Sequence, residues 1–162
     1  IEHNNISDIM NLTADILRAI KIEPILQISN INIPKLISTE LNISIDILKN
    51  GEISELLKLN CDWLDSLLRV KDIKSLENII EKVPNILKKE LETLLEKSRE
   101  VNYSNIIIAP MYYGSLKYYN GVYYRVIDKN WVLCRGGMYE TDGISSLGFA
   151  LYTDNLWKML EG

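Results

Sequence analysis

Through the first hundred residues apolar side chains recur three and four positions apart, which is the helical period. Ile6, Ile9, Met10, Ile16, Leu17 and Ile20 share one face, with Asn5 or Ser7 available as a cap and Pro24 as a stop. Pro34 suits a first helical turn ahead of Leu36, Ile37 and Leu41, and Ser44 to Lys49 reads as a short helix closed by Asn50-Gly51. Glu52 to Leu59, Asp62 to Val70 and Ser75 to Val83 each carry one oily stripe. Pro84 then opens a longer helix to about Val101, with Leu87, Leu91, Leu94 and Leu95 on its buried face. This part is predicted to be helix and turn throughout.

From Asn105 the period shortens. Ile106-Ile107-Ile108-Ala109 is a β-branched run, and Gly121 to Asp128 with Trp131 to Arg135 bracket Asp128-Lys129-Asn130 as a hairpin. Gly136-Gly137 then predicts a turn into a loop through Asp142-Gly143. A further strand at Leu147 to Tyr152 and a terminal helix with Leu156, Trp157 and Leu160 follow. All nine tyrosines lie at or after Tyr103, and seven of the eight glycines at or after Gly114, so the two parts differ in architecture. The expectation is an α+β fold: a helical segment over 1–102, with insertion-like helices, and a strand-rich part over 103–162.

Composition narrows the chemistry. The 162 residues carry a net charge of −4, which disfavours a surface built to track nucleic-acid phosphates. No apolar run is long enough to span a bilayer, and the opening residues lack the basic-then-apolar order of a signal peptide, so a cytoplasmic protein with no membrane role is expected. Cys61 and Cys134 are predicted to be buried, reduced thiols. His3 is the sole histidine, near a terminus; its isolation removes most Ser-His-Asp, Cys-His and His-ligated metal chemistry, and no metal or other cofactor is expected.

Three stretches carry more specific information: Gly114-Ser-Leu-Lys-Tyr-Tyr-Asn-Gly-Val-Tyr-Tyr124, Gly136-Gly-Met-Tyr-Glu140, and Gly148-Phe-Ala-Leu-Tyr-Thr-Asp-Asn-Leu156. In order and spacing they resemble the histidyl-tRNA synthetase type of class II core. There the corresponding stretches look like Arg-Gly-Leu-Asp-Tyr-Tyr-Thr-Gly-x-x-Phe, Gly-Gly-Arg-Tyr-Asp, and the motif 3 strand and helix. The resemblance implies the C-terminal portion of an antiparallel class II sheet, without motifs 1 and 2. Because the chain stops after the motif 3 helix, it is also similar to the regulatory subunit of ATP phosphoribosyltransferase, a paralogue of the synthetase core that works in histidine biosynthesis.

Departures from the synthetase pattern favour the regulatory relative. Gly114, Met138 and Asn155 stand where the family has arginines that grip nucleotide and carboxylate, and Lys117 replaces an acidic residue. Losing one such guanidinium typically costs about a hundredfold or more in rate, so a non-catalytic protein is expected. The resemblance implies binding to the catalytic subunit of ATP phosphoribosyltransferase, homo-oligomerisation, and histidine as a ligand of a residual pocket. Tyr118 and Tyr119 match the tyrosine pair that borders the histidine pocket; strand alternation would send one ring into the site and the other into the core. Gly136 and Gly137 would let the backbone approach a ligand, and Tyr139 would cover it. Arg125 and Arg135 flank the hairpin as strand-edge charges with some capacity to bind an anion. The enzyme alternative is a fragment of a divergent histidyl-tRNA synthetase or class II synthetase-like ligase.

Overall fold

The computed structural model describes residues 5–114 and 118–162; His3 and Lys117 lie outside the described residues. Asn5 caps α1 (Ile6–Ala19) through its side chain, and the chain then turns into β1 (Ile25–Asn30). Six helices follow: α2 (Asn32–Leu41), α3 (Ile45–Lys49), α4 (Ile53–Leu57), α5 (Asp62–Leu68), α6 (Ile73–Ile80) and α7 (Asn85–Arg99). The remainder is β2 (Ile106–Ile108), β3 (Tyr119–Asp128), β4 (Trp131–Thr141), β5 (Ile144–Leu151) and α8 (Thr153–Glu161).

The helix boundaries follow local chemistry. Ser44 caps α3, Gly51 takes φ +64° just beyond it, and Asp72 with Ser75 forms a reciprocal capping box on α6. The leucine stripe of α7 is buried as packing surface, with Leu87, Leu91 and Leu94 fully enclosed. Both cysteines are free; Cys134 is buried, but Cys61 is only half-buried at the start of α5, short of the expected burial.

Two strand features depart from the sequence reading. First, residues 25–30 are a strand, not part of an all-helical half. β1 lies between β2 and β3 in a sheet of order β2-β1-β3-β4-β5. It runs parallel to β2 and antiparallel to β3, so the expected antiparallel sheet gains one parallel edge pairing. Being covered on both faces, β1 buries Gln27, Ser29 and Asn30 alongside Leu26 and Ile28, which erases the apolar-polar alternation that marks a half-exposed strand.

Second, Gly136-Gly137 is no turn: β4 continues through it to Thr141. The turn comes at Asp142-Gly143, both at positive φ as a two-residue hairpin requires. Neither glycine could carry a side chain where it sits. A Cβ on Gly136 would lie 2.4 Å from the Tyr124 ring, and one on Gly137 would lie 2.5 Å from the Tyr119 ring.

One hydrophobic core joins the helices to the sheet. Ile6, Met10 and Leu17 of α1 and the α7 leucines cover the face bearing Leu26, Ile28, Val122, Tyr124 and Val126. Within that interface the Tyr124 hydroxyl lies 2.6 Å from Thr13 Oγ1, which itself sits 2.8 Å from the Ile9 carbonyl it donates to. The opposite face of the sheet is closed over β1 and open over β4 and β5.

Candidate functional site

Strand register determines which side chains meet on that second face. Gln27, Arg125, Arg135 and Ala150 form one row across β1, β3, β4 and β5; Ser29, Tyr123, Gly137 and Gly148 form the next. Tyr119 and Tyr123, four positions apart, share a face, and the bulge between them, with Gly121 at φ +94°, draws the two positions together. Their rings stack with centroids 5.3 Å apart and 13° between planes. Tyr119 lies over Gly137, and the Tyr139 ring lies 3.3 Å from where a Gly148 Cβ would be, so the two glycines make room for aromatic cover.

Tyr118 is 56% exposed, whereas Tyr119 is buried, giving one ring to solvent and one to the interior. Tyr118 stands 5.0 Å from Tyr119 and 6.3 Å from Tyr139, the latter edge-on. These rings border an open cavity of about 500 Å³ that also takes in Arg135, Phe149 and Tyr152. Of the residues singled out from the sequence, Tyr118, Tyr119 and Tyr139 therefore come together here, while Gly137 is covered by the Tyr119 ring and does not line the cavity. Gly136 does not: it faces the helix-covered side, where the Tyr124 ring fills its space. Arg135 belongs to the cavity although the sequence reading made it an edge charge. β4's continuation beyond Gly137 puts it mid-strand, directly opposite Arg125.

Burial pushes the hydroxyls of Tyr119, Tyr123 and Tyr124 well above the ordinary phenol value, opposed at Tyr123 by the hydrogen bond from the Gly114 amide. That amide donates to Tyr123 Oη at 2.8 Å, and Tyr123 donates in turn to the Tyr112 carbonyl at 2.7 Å. Burial also raises the Cys134 thiol to about 11, far from a thiolate at neutral pH. Among the described residues no cluster of three or more His, Cys, Asp or Glu side chains is arranged to hold a metal.

Gly114, Met138 and Asn155, the positions at which the resemblance led to the expectation of lost arginines, each have a structural role. A side chain on Gly114 would meet the Tyr123 ring at 3.0 Å. Met138 packs against the core on the helix-covered face. Asn155 Nδ2 donates to the Val132 carbonyl at 2.7 Å, fastening α8 to β4.

This arrangement has counterparts of known structure. A protein described as an ATP phosphoribosyltransferase regulatory subunit/histidyl-tRNA synthetase from Bacillus halodurans superposes with a TM-score of 0.74 at 17% identity, over 98% of this chain and 51% of that one. The ATP phosphoribosyl transferase (HisG:HisZ) complex from Thermotoga maritima gives 0.56 at 16% identity, over 93% and 62%. The fold is thus the histidyl-tRNA synthetase type of class II core. No family model matches the chain. In sequence it is similar to the ATP phosphoribosyltransferase regulatory subunits of Wolinella succinogenes, 35% identical over 147 residues, and Helicobacter hepaticus, 31% identical over 156 residues. These alignments cover 91% and 96% of this chain but 51% and 55% of those proteins, so the chain spans about half the length of the curated relatives it matches.

Proposed function

We propose that this chain is the sheet-and-helix part of a non-catalytic regulatory subunit of ATP phosphoribosyltransferase, which docks on the catalytic subunit in the cytoplasm and assembles with further copies of itself. The observation that carries this reading is the 35% identity to the Wolinella succinogenes regulatory subunit across 91% of the chain. The occupations of Gly114, Met138 and Asn155 support the absence of catalysis. Adenylate formation needs fixed guanidinium groups around phosphate charge, and these positions instead pack a ring, fill the core and fasten a helix. No helix among the described residues is long and apolar enough to cross a membrane.

The tyrosine-bordered cavity is, on this reading, a residual amino-acid pocket that takes histidine through Tyr118, Tyr119 and Tyr139. Histidine would regulate the complex by binding one arrangement better than another, with a coupling of about 1 to 3 kcal/mol. Co-purification of the full-length protein with a short-form catalytic subunit tests the docking. A stable complex, together with no histidine-dependent exchange of pyrophosphate into ATP, is the expected result. No complex, or robust exchange, would replace this reading with the divergent synthetase.

A further inference from the structure

Arg125 and Arg135 face each other across β3 and β4, in the row that floors the open face of the sheet. Residues directly opposite in a sheet have Cβ atoms about 5 Å apart, and like charges so placed destabilise the pairing. A carboxylate nearby would relieve that cost, yet among the described residues neither arginine has an ion-pair partner.

What surrounds the pair is a set of donors lacking acceptors. Arg125 stacks on the Tyr112 ring at 4.0 Å and gives one hydrogen bond, Nη2 to Gln27 Oε1 at 3.0 Å, while its buried Nε has none. Gln27 is 7% exposed, and its Nε2 is likewise unpartnered. The Arg135 guanidinium lies 5.9 Å from the Tyr152 ring centroid and, among the described residues, makes no side-chain hydrogen bond. Both guanidinium groups line one narrow cleft beneath Tyr119 and Tyr112, and Arg135 also opens into the larger cavity. Buried donors without acceptors are costly, and a planar guanidinium is matched to two oxygens of one anion.

We propose that Arg125, Arg135 and Gln27 form a binding site for the oxyanion of a small molecule, a carboxylate or a phosphate, with the body of that molecule lying against the tyrosines. The proposal rests on the reading of this cavity as an amino-acid pocket; docking on a catalytic subunit is a separate reading, which co-purification tests.

The test uses the full-length protein, by calorimetric titration and thermal unfolding with inorganic phosphate, L-histidine and histidinol, each compared with chloride at matched ionic strength. Binding of phosphate or histidine is expected, weakened about tenfold or more in R135Q and in R125Q, with partial recovery in R135K, which keeps charge without the fork. Histidine bound in preference to histidinol identifies the anion as a carboxylate; phosphate bound alone identifies it as phosphoryl. No stabilisation of the wild type by either anion beyond chloride overturns the proposal, as does wild-type affinity in folded R125Q and R135Q. If the glutamine variants do not fold, wild-type affinity in both R135K and R125K overturns it.

Discussion

At single positions the decisive interactions are between glycines and tyrosine rings on neighbouring strands. Gly137→Ala places a methyl group 2.5 Å from Tyr119 and 2.8 Å from Tyr123, so it is expected to cost about 1–3 kcal/mol, read as a lower urea midpoint with unchanged slope. The buried phenols also determine the alkaline limit. A tyrosine whose pKa is raised on folding stabilises the native state below its unfolded value near 10, and that contribution is lost as pH rises toward the folded value. Stability should therefore be level to about pH 9 and fall steeply above about pH 10, Cys134 adding to the fall as pH rises toward 11. Denaturant midpoints alongside tyrosinate absorbance check this; a flat stability curve through pH 11 would contradict it. The sequence exposes these residues unevenly. For Tyr118-Tyr119 strand alternation predicts one ring in the site and the other in the core, whereas both border the cavity, one exposed and one buried. Gly136-Gly137 looks like a turn because the rings that demand glycine there come from another strand, information that no local window holds.

Among the elements, those defined by their own residues were readable and those defined by neighbours were not. The cap at Asn5, the Ser44 to Lys49 pattern and the α7 leucine stripe are local signals, and each helix expected from them forms, while the Asp72 capping box starts α6 two residues ahead of the expected Ser75. β1 carries no such signal. A six-residue run with Gln27, Ser29 and Asn30 becomes a strand only because β2 and β3 flank it, and amide exchange should show Leu26 and Ile28 among the slowest positions. Rapid exchange at those two amides would mean that β1 is not in the sheet. The contact between α1 and α7 has its own acid signature. Glu100 accepts hydrogen bonds from Asn5 and Ser7, chiefly the latter, which holds its carboxyl below the usual range. A lowered carboxyl pKa stabilises the fold above the unfolded value and loses that contribution as pH falls through the folded one. Glu100→Ala should lower the midpoint at pH 7 and leave a shallower decline between about pH 5 and 3 than in the wild type.

Over the whole molecule, one face of the sheet is closed by helices and the other carries tyrosines, two arginines and a cavity. The class II resemblance was readable because three short stretches keep both their letters and their order. The place of Arg135 was not, since it depends on how far β4 runs and on what stands opposite in β3. Whether the protein acts through a partner is measured most directly by the rate at which a short-form catalytic subunit makes phosphoribosyl-ATP with and without the full-length protein. A rate that rises on addition and changes further with histidine is the predicted result. An unchanged rate at saturating protein would contradict it.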